Sequence, residues 1–208
     1  MSKAEKTRAF IIERSAPVFN IKGYSGTSLN DLMLATGLTK GAIYGNFKDK
    51  DEVALAVFNY SVRRLNKKLA EHLSDKTNTI EKLVAYTEFY RTNWRRIFDK
   101  GGCPVQNASV EADDNILFLK KHVQASIKSW AANLAKIIES GKINGEIRKD
   151  IIALDYAYGI ISMVEGGIFL SKSMNNPRFL FAALDRIITI IHTEIKNNPS
   201  TGHKRTHT

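Results

Sequence analysis

Apolar residues recur three and four positions apart along almost the whole chain, and the apolar–polar alternation of a β-strand is nearly absent. The clearest helical run lies between residues 50 and 73, with apolar side chains at Val53, Leu55, Val57, Phe58, Val62, Leu65 and Leu69. The same spacing predicts further helices at about residues 3–21, 78–98, 115–141, 153–173 and 178–197, with a short helix between Val105 and Asp113. The sequence therefore predicts an all-α protein.

Residues 27–47 carry the signals of two short helices joined by a tight turn. Ser28 and Asp31 are spaced as a capping box at the start of the first helix. Gly37 supplies the turn, and Thr39 is placed to cap the second helix. This order of elements is typical of a helix-turn-helix, in which the second helix enters the major groove of DNA.

The second short helix, expected to run from Thr39 to Phe47, has two different faces. Leu38, Ile43 and Phe47 provide apolar anchors, and the last two share a face because they are four residues apart. The opposite face carries small and polar residues, namely Lys40, Gly41, Ala42, Tyr44, Gly45 and Asn46. That face suits close approach to a duplex, and the alternative is a surface helical hairpin with no partner.

The segment resembles the tetracycline-repressor (TetR) family of bacterial regulators. The matching positions are Phe19, Gly23-Tyr24, Thr27-Ser28, Asp31-Leu32, Gly37-Leu38-Thr39-Lys40-Gly41, Tyr44, Phe47 and Lys50. The resemblance implies a helix-turn-helix DNA-binding domain of three helices over residues 1–48. It also implies a helical bundle for ligand binding and dimerisation over 49–198, followed by a flexible tail at 199–208.

The same resemblance implies roles for individual residues. Thr27 or Ser28, Thr39, Tyr44 and Lys50 would hold DNA phosphates. Lys40, Gly41, Ala42, Gly45 and Asn46 would face base edges. Lys40 would approach guanine, and Asn46 would approach a base or a phosphate.

Charge and composition restrict the partners and the compartment. The formal net charge of +10 indicates an anionic partner, either nucleic acid or a membrane surface. The single cysteine excludes an internal disulfide framework, and the first residues lack the apolar run of a signal peptide. No run of about 18 apolar residues is evident. We expect a cytoplasmic protein without a membrane anchor.

The late apolar helices are candidates for a dimer surface, because one helix-turn-helix makes too few contacts for a specific site. The two stretches run from Tyr156 to Leu170 and from Phe179 to Ile191. Small residues at Gly159, Ser162, Gly166 and Gly167 would let another helix approach closely. The family resemblance implies that two such helices from each subunit form a four-helix bundle. The alternative is that both helices belong to the core of the monomer.

A set of aromatic and polar residues is a candidate lining for a ligand pocket: Tyr86, Phe89, Tyr90, Trp94, Phe98, Phe118, His122, Trp130, Met163 and Phe169. In the family, this region holds an inducer. The alternative is that the aromatic residues form ordinary core. Cys103 near the pocket would be either a thiol that senses electrophiles or an inert buried residue, and the inert alternative is favoured.

Together these patterns predict a homodimeric repressor that a small apolar molecule or an electrophile releases from a palindromic double-stranded operator. The alternative is a helical small-molecule-binding protein or enzyme without DNA binding. No Glu-x-x-His pair, glycine-rich phosphate loop or nucleophile flanked by a base supports an enzyme. His203 and His207 lack a second ligand pair, so neither a metal nor a cofactor is expected.

Overall fold

A computed structural model describes residues 2–112 and 116–198. Within these ranges the chain forms α1 (Lys3–Gly26), α2 (Leu29–Thr36), α3 (Lys40–Tyr44), α4 (Lys50–Leu73), α5 (Thr79–Asp99), α6 (Pro104–Ala112), α7 (Leu117–Ile143), α8 (Ala153–Ser173) and α9 (Arg178–Ile190). A π-helical turn, Ile191–Ile195, follows α9, and the described part contains no strand. The predicted all-α class is confirmed. The predicted flexible tail at 199–208 lies outside the described residues.

Local signals explain the boundaries of the first helices. Gly23 has φ 75° and ψ 175°, which interrupts α1 one turn before its end. Ser28 and Asp31 form the predicted capping box of α2, each side chain accepting the other residue's backbone N–H. Gly37 ends α2 in the left-handed region, at φ 70°, where a side chain would be strained. The predicted break between α2 and α3 is therefore present.

Two hydrophobic clusters divide the chain. The N-terminal cluster consists of Ile11, Phe19, Leu32, Ile43, Phe47, Val53, Ala54 and Val57. Its last three members lie near the start of α4, while Phe58 and Val62, further along the same helix, belong to the C-terminal cluster. Burying each large apolar side chain contributes about 1.5–3 kcal/mol. Helix α4 is therefore part of both cores and connects them mechanically.

Helix α8 is the central helix of the C-terminal bundle and packs between α7 and α9. Gly167 makes its contact with α9 possible, because a Cβ there would lie 3.0 Å from Cα of Leu180. By length and composition alone, α8 could also cross a membrane, which corrects the expectation that no such segment exists. Its buried residues include Ala157, Ile160 and Ile168, so we describe α8 as a core helix.

Candidate DNA-binding surface and ligand cavities

Helix α3 is anchored as predicted but is shorter than predicted. The Thr39 hydroxyl accepts the N–H of Ala42 at 3.2 Å, which caps the helix. Regular helix ends at Tyr44 instead of continuing to Phe47, because the N–H groups of Asn46 and Phe47 both turn back to the carbonyl of Ile43. Helix α3 therefore has five residues, and a tight turn follows them.

The two faces of α3 and its turn separate as the sequence suggested. Ile43 is fully buried and Phe47 is 2% exposed. On the other side, Lys40, Gly41 and Gly45 are exposed. Thr39, predicted to contact phosphate, is also exposed. The other residues predicted to face DNA from this segment are half-buried: Ala42, Tyr44 and Asn46. Lys40 is therefore the long cationic side chain that α3 presents to solvent.

Asn46 is more constrained than a free base-reading side chain. Its side-chain Nδ2 donates to the backbone carbonyl of Ala42 at 2.9 Å. Its backbone carbonyl accepts a hydrogen bond from Arg8. The amide is therefore held against the end of α3. The second Nδ2–H and the Oδ1 of Asn46 remain available for contact with DNA.

The phosphate role proposed for Thr27 is wrong for its side chain. Thr27 is 1% exposed, and its hydroxyl donates to the carbonyl of Gly23 at 2.5 Å. The neighbouring Ser28 is exposed, and its hydroxyl is engaged with Asp31. Of the predicted pair, only Ser28 remains at the surface.

Lys50 is held in place by an aromatic ring. Its Nζ lies 4.3 Å from the centroid of the Tyr24 ring, a cation–π distance. The hydroxyl of Tyr24 donates to Asp51, and burial together with that hydrogen bond raises the pKa of Tyr24 to about 12. These contacts hold Lys50, predicted to contact phosphate, beside the helix-turn-helix.

Arg8 organises the same surface and was not predicted. Its guanidinium donates to the carbonyl of Asn46 and to Glu52 at 2.6 Å, and it lies 4.0 Å from the centroid of the Phe47 ring. The N–H of Lys48 and the Arg8 guanidinium lower the pKa of Glu52. Arg8 therefore links α1 to the end of α3 and to α4. Its partners are too distant in sequence for a local pattern to predict these contacts.

An open cavity of about 900 Å³, its mouth included, lies between α1, α4, α5 and the start of α6. We call it the interdomain cavity. Its lining residues are Glu13, Ala16, Pro17, Asn20, Tyr60, Ser61, Arg64, Leu65, Lys68, Phe89, Tyr90, Asn93, Arg96, Ile97, Lys100, Gly102, Cys103, Pro104 and Ile168. Its lining residues come both from α1, in the N-terminal part of the chain, and from helices of the C-terminal bundle.

A second open cavity of about 720 Å³, its mouth included, lies between α4, α5 and α7, and we call it the bundle cavity. Tyr86, Tyr90 and Trp130 line it, and Trp130 Nε1 donates to Asn66 Oδ1 at 2.7 Å. Tyr90 and Leu65 line both cavities and separate them. The predicted aromatic pocket is therefore divided in two, with Phe89 and Cys103 on the interdomain side.

Six residues proposed as pocket lining, Phe98 among them, line neither cavity. Trp94 packs edge-to-face on Phe98 and Phe181, and Phe118 packs edge-to-face on Tyr24. Met163 packs against the C-terminal core, and half-buried His122 lines neither cavity. Phe169 is 53% exposed and points away from both cavities, so its placement in the pocket is corrected. Its neighbour Ile168 takes part in the lining instead.

Cys103 lies in a buried polar group together with Tyr86, Tyr90 and Glu165. Burial and the nearby Glu165 carboxyl raise the pKa of the Cys103 thiol. Burial also raises the pKa of Glu165 to about 7, and its Oε2 has no hydrogen-bond partner. A protonated thiol that is 3% exposed is a poor nucleophile. The structure thus favours the inert alternative for Cys103 over electrophile sensing.

The chain combines a short helix, α3, anchored on an N-terminal core, with a helical bundle that contains cavities. This combination defines a helix-turn-helix regulator with a separate effector domain. Known proteins agree with this class. Residues 11–57 match the family described as bacterial regulatory proteins, tetR family, and residues 79–187 match the tetracyclin repressor-like C-terminal domain. The chain belongs to the TetR family of transcriptional regulators.

Individual relatives cover nearly the whole chain. A TetR-family regulator from Cytophaga hutchinsonii is 38% identical, with a TM-score of 0.90 over 95% of this chain and 98% of its own. Another from Chloroflexus aurantiacus is 32% identical, with a TM-score of 0.89 over 95% and 100%. The transcriptional repressor DhaR of Mycobacterium sp. (strain GP1) is 24% identical over 88% of this chain and 89% of its own. The chain is a DNA-binding transcriptional regulator and not an enzyme.

Proposed function

We propose that the protein is a cytoplasmic homodimeric repressor that binds a palindromic operator and leaves it when a small molecule occupies the interdomain cavity. The observation that carries this proposal is the outward face of α3, where exposed Lys40 and Gly41 stand on a helix anchored by buried Ile43. We assign DNA reading to residues 1–48, with the first half of α4 completing their core. Ligand binding and dimerisation belong to the remainder, through residue 198.

The exposed face of α8 supports a dimer through the last two helices. Leu154, Tyr158, Phe169 and Leu170 are 42–53% exposed on this helix. A Cβ at Gly159 or Gly166 would meet no atom within 4 Å, so both glycines face open space. An exposed apolar face with small residues is suited to close packing against a second copy. Two copies would place their recognition helices on successive major grooves, about 34–36 Å apart.

The coupling between ligand and DNA follows from the position of the interdomain cavity. Ala16 and Pro17 of α1 line it on one side, and Tyr60 of α4 and Ile97 of α5 line it on others. An occupant therefore contacts both the DNA-binding domain and the bundle. If it binds better to one arrangement of these helices, it shifts the population toward that arrangement. We infer that the favoured arrangement sets the two α3 helices at a spacing that no longer fits the operator.

Selection of bound genomic fragments by the purified protein tests the function. We expect recovered fragments to share an inverted repeat with half-sites about 10 bp apart, centre to centre, or a multiple of this. Binding should fall steeply with salt, because phosphate contacts release counterions. Recovery of fragments without a common sequence would contradict sequence-specific regulation, and half-sites in direct repeat would contradict the two-fold dimer.

Replacement of Phe169 by serine tests the dimer surface. We expect the dimer dissociation constant to rise about tenfold to a hundredfold, because a buried aromatic at the centre of an interface contributes on this scale. Sedimentation at several concentrations measures the change. Val110→Ser is the matched control, since Val110 is 75% exposed and lies on α6, which is not one of the two helices of the proposed interface. Equal dissociation constants for both variants would exclude the Phe169 face as the interface.

A further inference from the structure

The mouth of the interdomain cavity carries a group of basic residues that the apolar lining does not explain. Arg64 and Lys68 are four residues apart on α4, and Arg96 and Lys100 are four residues apart at the end of α5. We call these four side chains the cation cluster. Like charges at this spacing destabilise a helix slightly, and here two such pairs line the same opening.

The cation cluster forms no salt bridge within residues 2–112 and 116–198. None of its four members has a carboxylate oxygen within 4.0 Å in residues 2–112 and 116–198. Arg64 donates to the hydroxyl of Tyr60 at 3.1 Å, which fixes the guanidinium at the cavity wall. Burial, Arg64 and Arg96 lower the pKa of Lys100, in that order of size. The positive charges therefore act on one another across the opening.

The interior beyond the cluster is apolar. Leu65, Phe89, Ile97 and Ile168 line it, with Tyr90 at its inner wall. A ligand that fills this space must bury an apolar body, and a ligand that satisfies the mouth must bring negative charge. We propose that the ligand of the interdomain cavity is an amphiphile with a single anionic head group (carboxylate, phosphate or sulfate) bound at the cation cluster. This inference rests on the proposed function and names the chemical class of its inducer.

Glu13 gives this ligand a route to the DNA-binding domain. It is the one acidic residue among the described residues that line the cavity, and its charge raises the pKa of Lys100, against the larger lowering effects. Glu13 lies on α1, whereas the cation cluster lies on α4 and at the C-terminal end of α5. A bound anion would share the cations with Glu13 and repel its carboxylate. That repulsion acts directly on α1, the first helix of the DNA-binding domain.

Direct binding of decanoate and decan-1-ol to the full chain, measured by calorimetry without DNA, tests the head-group preference. Both probes have the same apolar body, and only decanoate carries a charge. We expect decanoate to bind at least about tenfold more tightly, since a partly desolvated anion gains from several nearby cations. Equal affinity, tighter binding of the alcohol, or no saturable binding of decanoate below about 1 mM would overturn the proposal.

Substitutions at the cavity mouth identify the residues that cause decanoate to bind more tightly than decan-1-ol. The double variant Arg96→Gln with Lys100→Gln should reduce the preference for decanoate to about twofold or less. Glu13→Gln should tighten decanoate binding several-fold without a similar effect on decan-1-ol. Lys136→Gln is the control, because Lys136 is exposed on α7 and does not line the cavity. An unchanged preference in the double variant would place the anion elsewhere and overturn the proposal.

The two proposals fail in different experiments. Decanoate binding that depends on Arg96 and Lys100 supports the ligand class even if no operator is recovered. Recovery of an inverted-repeat operator supports the regulator even if decanoate and decan-1-ol bind equally. Release of the operator by decanoate, and not by decan-1-ol, is the result expected when both proposals hold.

Discussion

Replacement of Lys40 by alanine is expected to weaken operator binding by about 2–6 kcal/mol, a factor between about 30 and about 20,000. Each subunit of a dimer loses one contact, and a good contact between lysine and guanine contributes about 1–3 kcal/mol. Lys40 is exposed and forms no ion pair among the described residues, so the change should leave folding intact. Titration of labelled operator and thermal unfolding of the free protein measure the two effects.

The salt dependence of the Lys40→Ala variant distinguishes two roles. If Lys40 reads guanine, discrimination against a substituted base pair should fall while the salt slope stays nearly constant. If Lys40 only holds phosphate, the slope should fall by about one per subunit while base discrimination persists. Lys136→Ala removes the same charge from an exposed position on α7, outside the helix-turn-helix, and should alter neither. Unchanged operator affinity in Lys40→Ala would remove α3 as the recognition helix.

The parts of the fold that local chemistry determines could be predicted from the sequence. The capping residues Ser28 and Thr39 begin α2 and α3 where the sequence placed them, and α4 matches its apolar run. The end of α3 could not be predicted. The N–H groups of Asn46 and Phe47 both donate to the carbonyl of Ile43, and this turn depends on how Phe47 packs into the core. Anchoring by tertiary contacts shortens a helix that local pattern would extend.

The candidate site was harder to predict than the fold because its residues come from different helices. Cys103 and Glu165 are neighbours only after α6 and α8 pack together. Arg64 and Arg96 resemble ordinary surface charges until α4 and α5 face each other across the interdomain cavity. Aromatic composition indicated a pocket region but not its division by Tyr90. Which aromatic residues line a cavity is decided by the direction of each side chain, which depends on the packing of the helices.

The buried carboxyl of Glu165 should make stability depend on pH. Its pKa is raised from an ordinary value of 4.5 to about 7 by burial, so the folded chain keeps a proton that the unfolded chain releases. Stability is then unaffected by this group below about pH 4.5, falls as the pH rises from there to about 7, and levels off above that. The loss at high pH amounts to about 3 kcal/mol.

Replacement of Glu165 by glutamine should remove that dependence, because the amide stays neutral and has nearly the shape of the protonated acid. Relative to the unsubstituted chain, the variant should gain about 3 kcal/mol of unfolding free energy between about pH 5 and about pH 8. Urea unfolding at one fixed protein concentration measures this gain, since dimer dissociation would otherwise change the midpoint.

Glu71→Gln supplies the control for Glu165→Gln, because the Glu71 side chain is 62% exposed on α4 and its removal should give nearly the same difference at every pH. The change with pH of the difference in unfolding free energy between the variant and the unsubstituted chain decides the result. A constant difference does not, because the new amide also buries a donor, and the cost of burying it is independent of pH. A stability difference that stays flat between about pH 5 and about pH 8 would mean that Glu165 is already ionised in the folded chain. The Cys103 thiol would then lie beside a permanent negative charge, which disfavours its thiolate further.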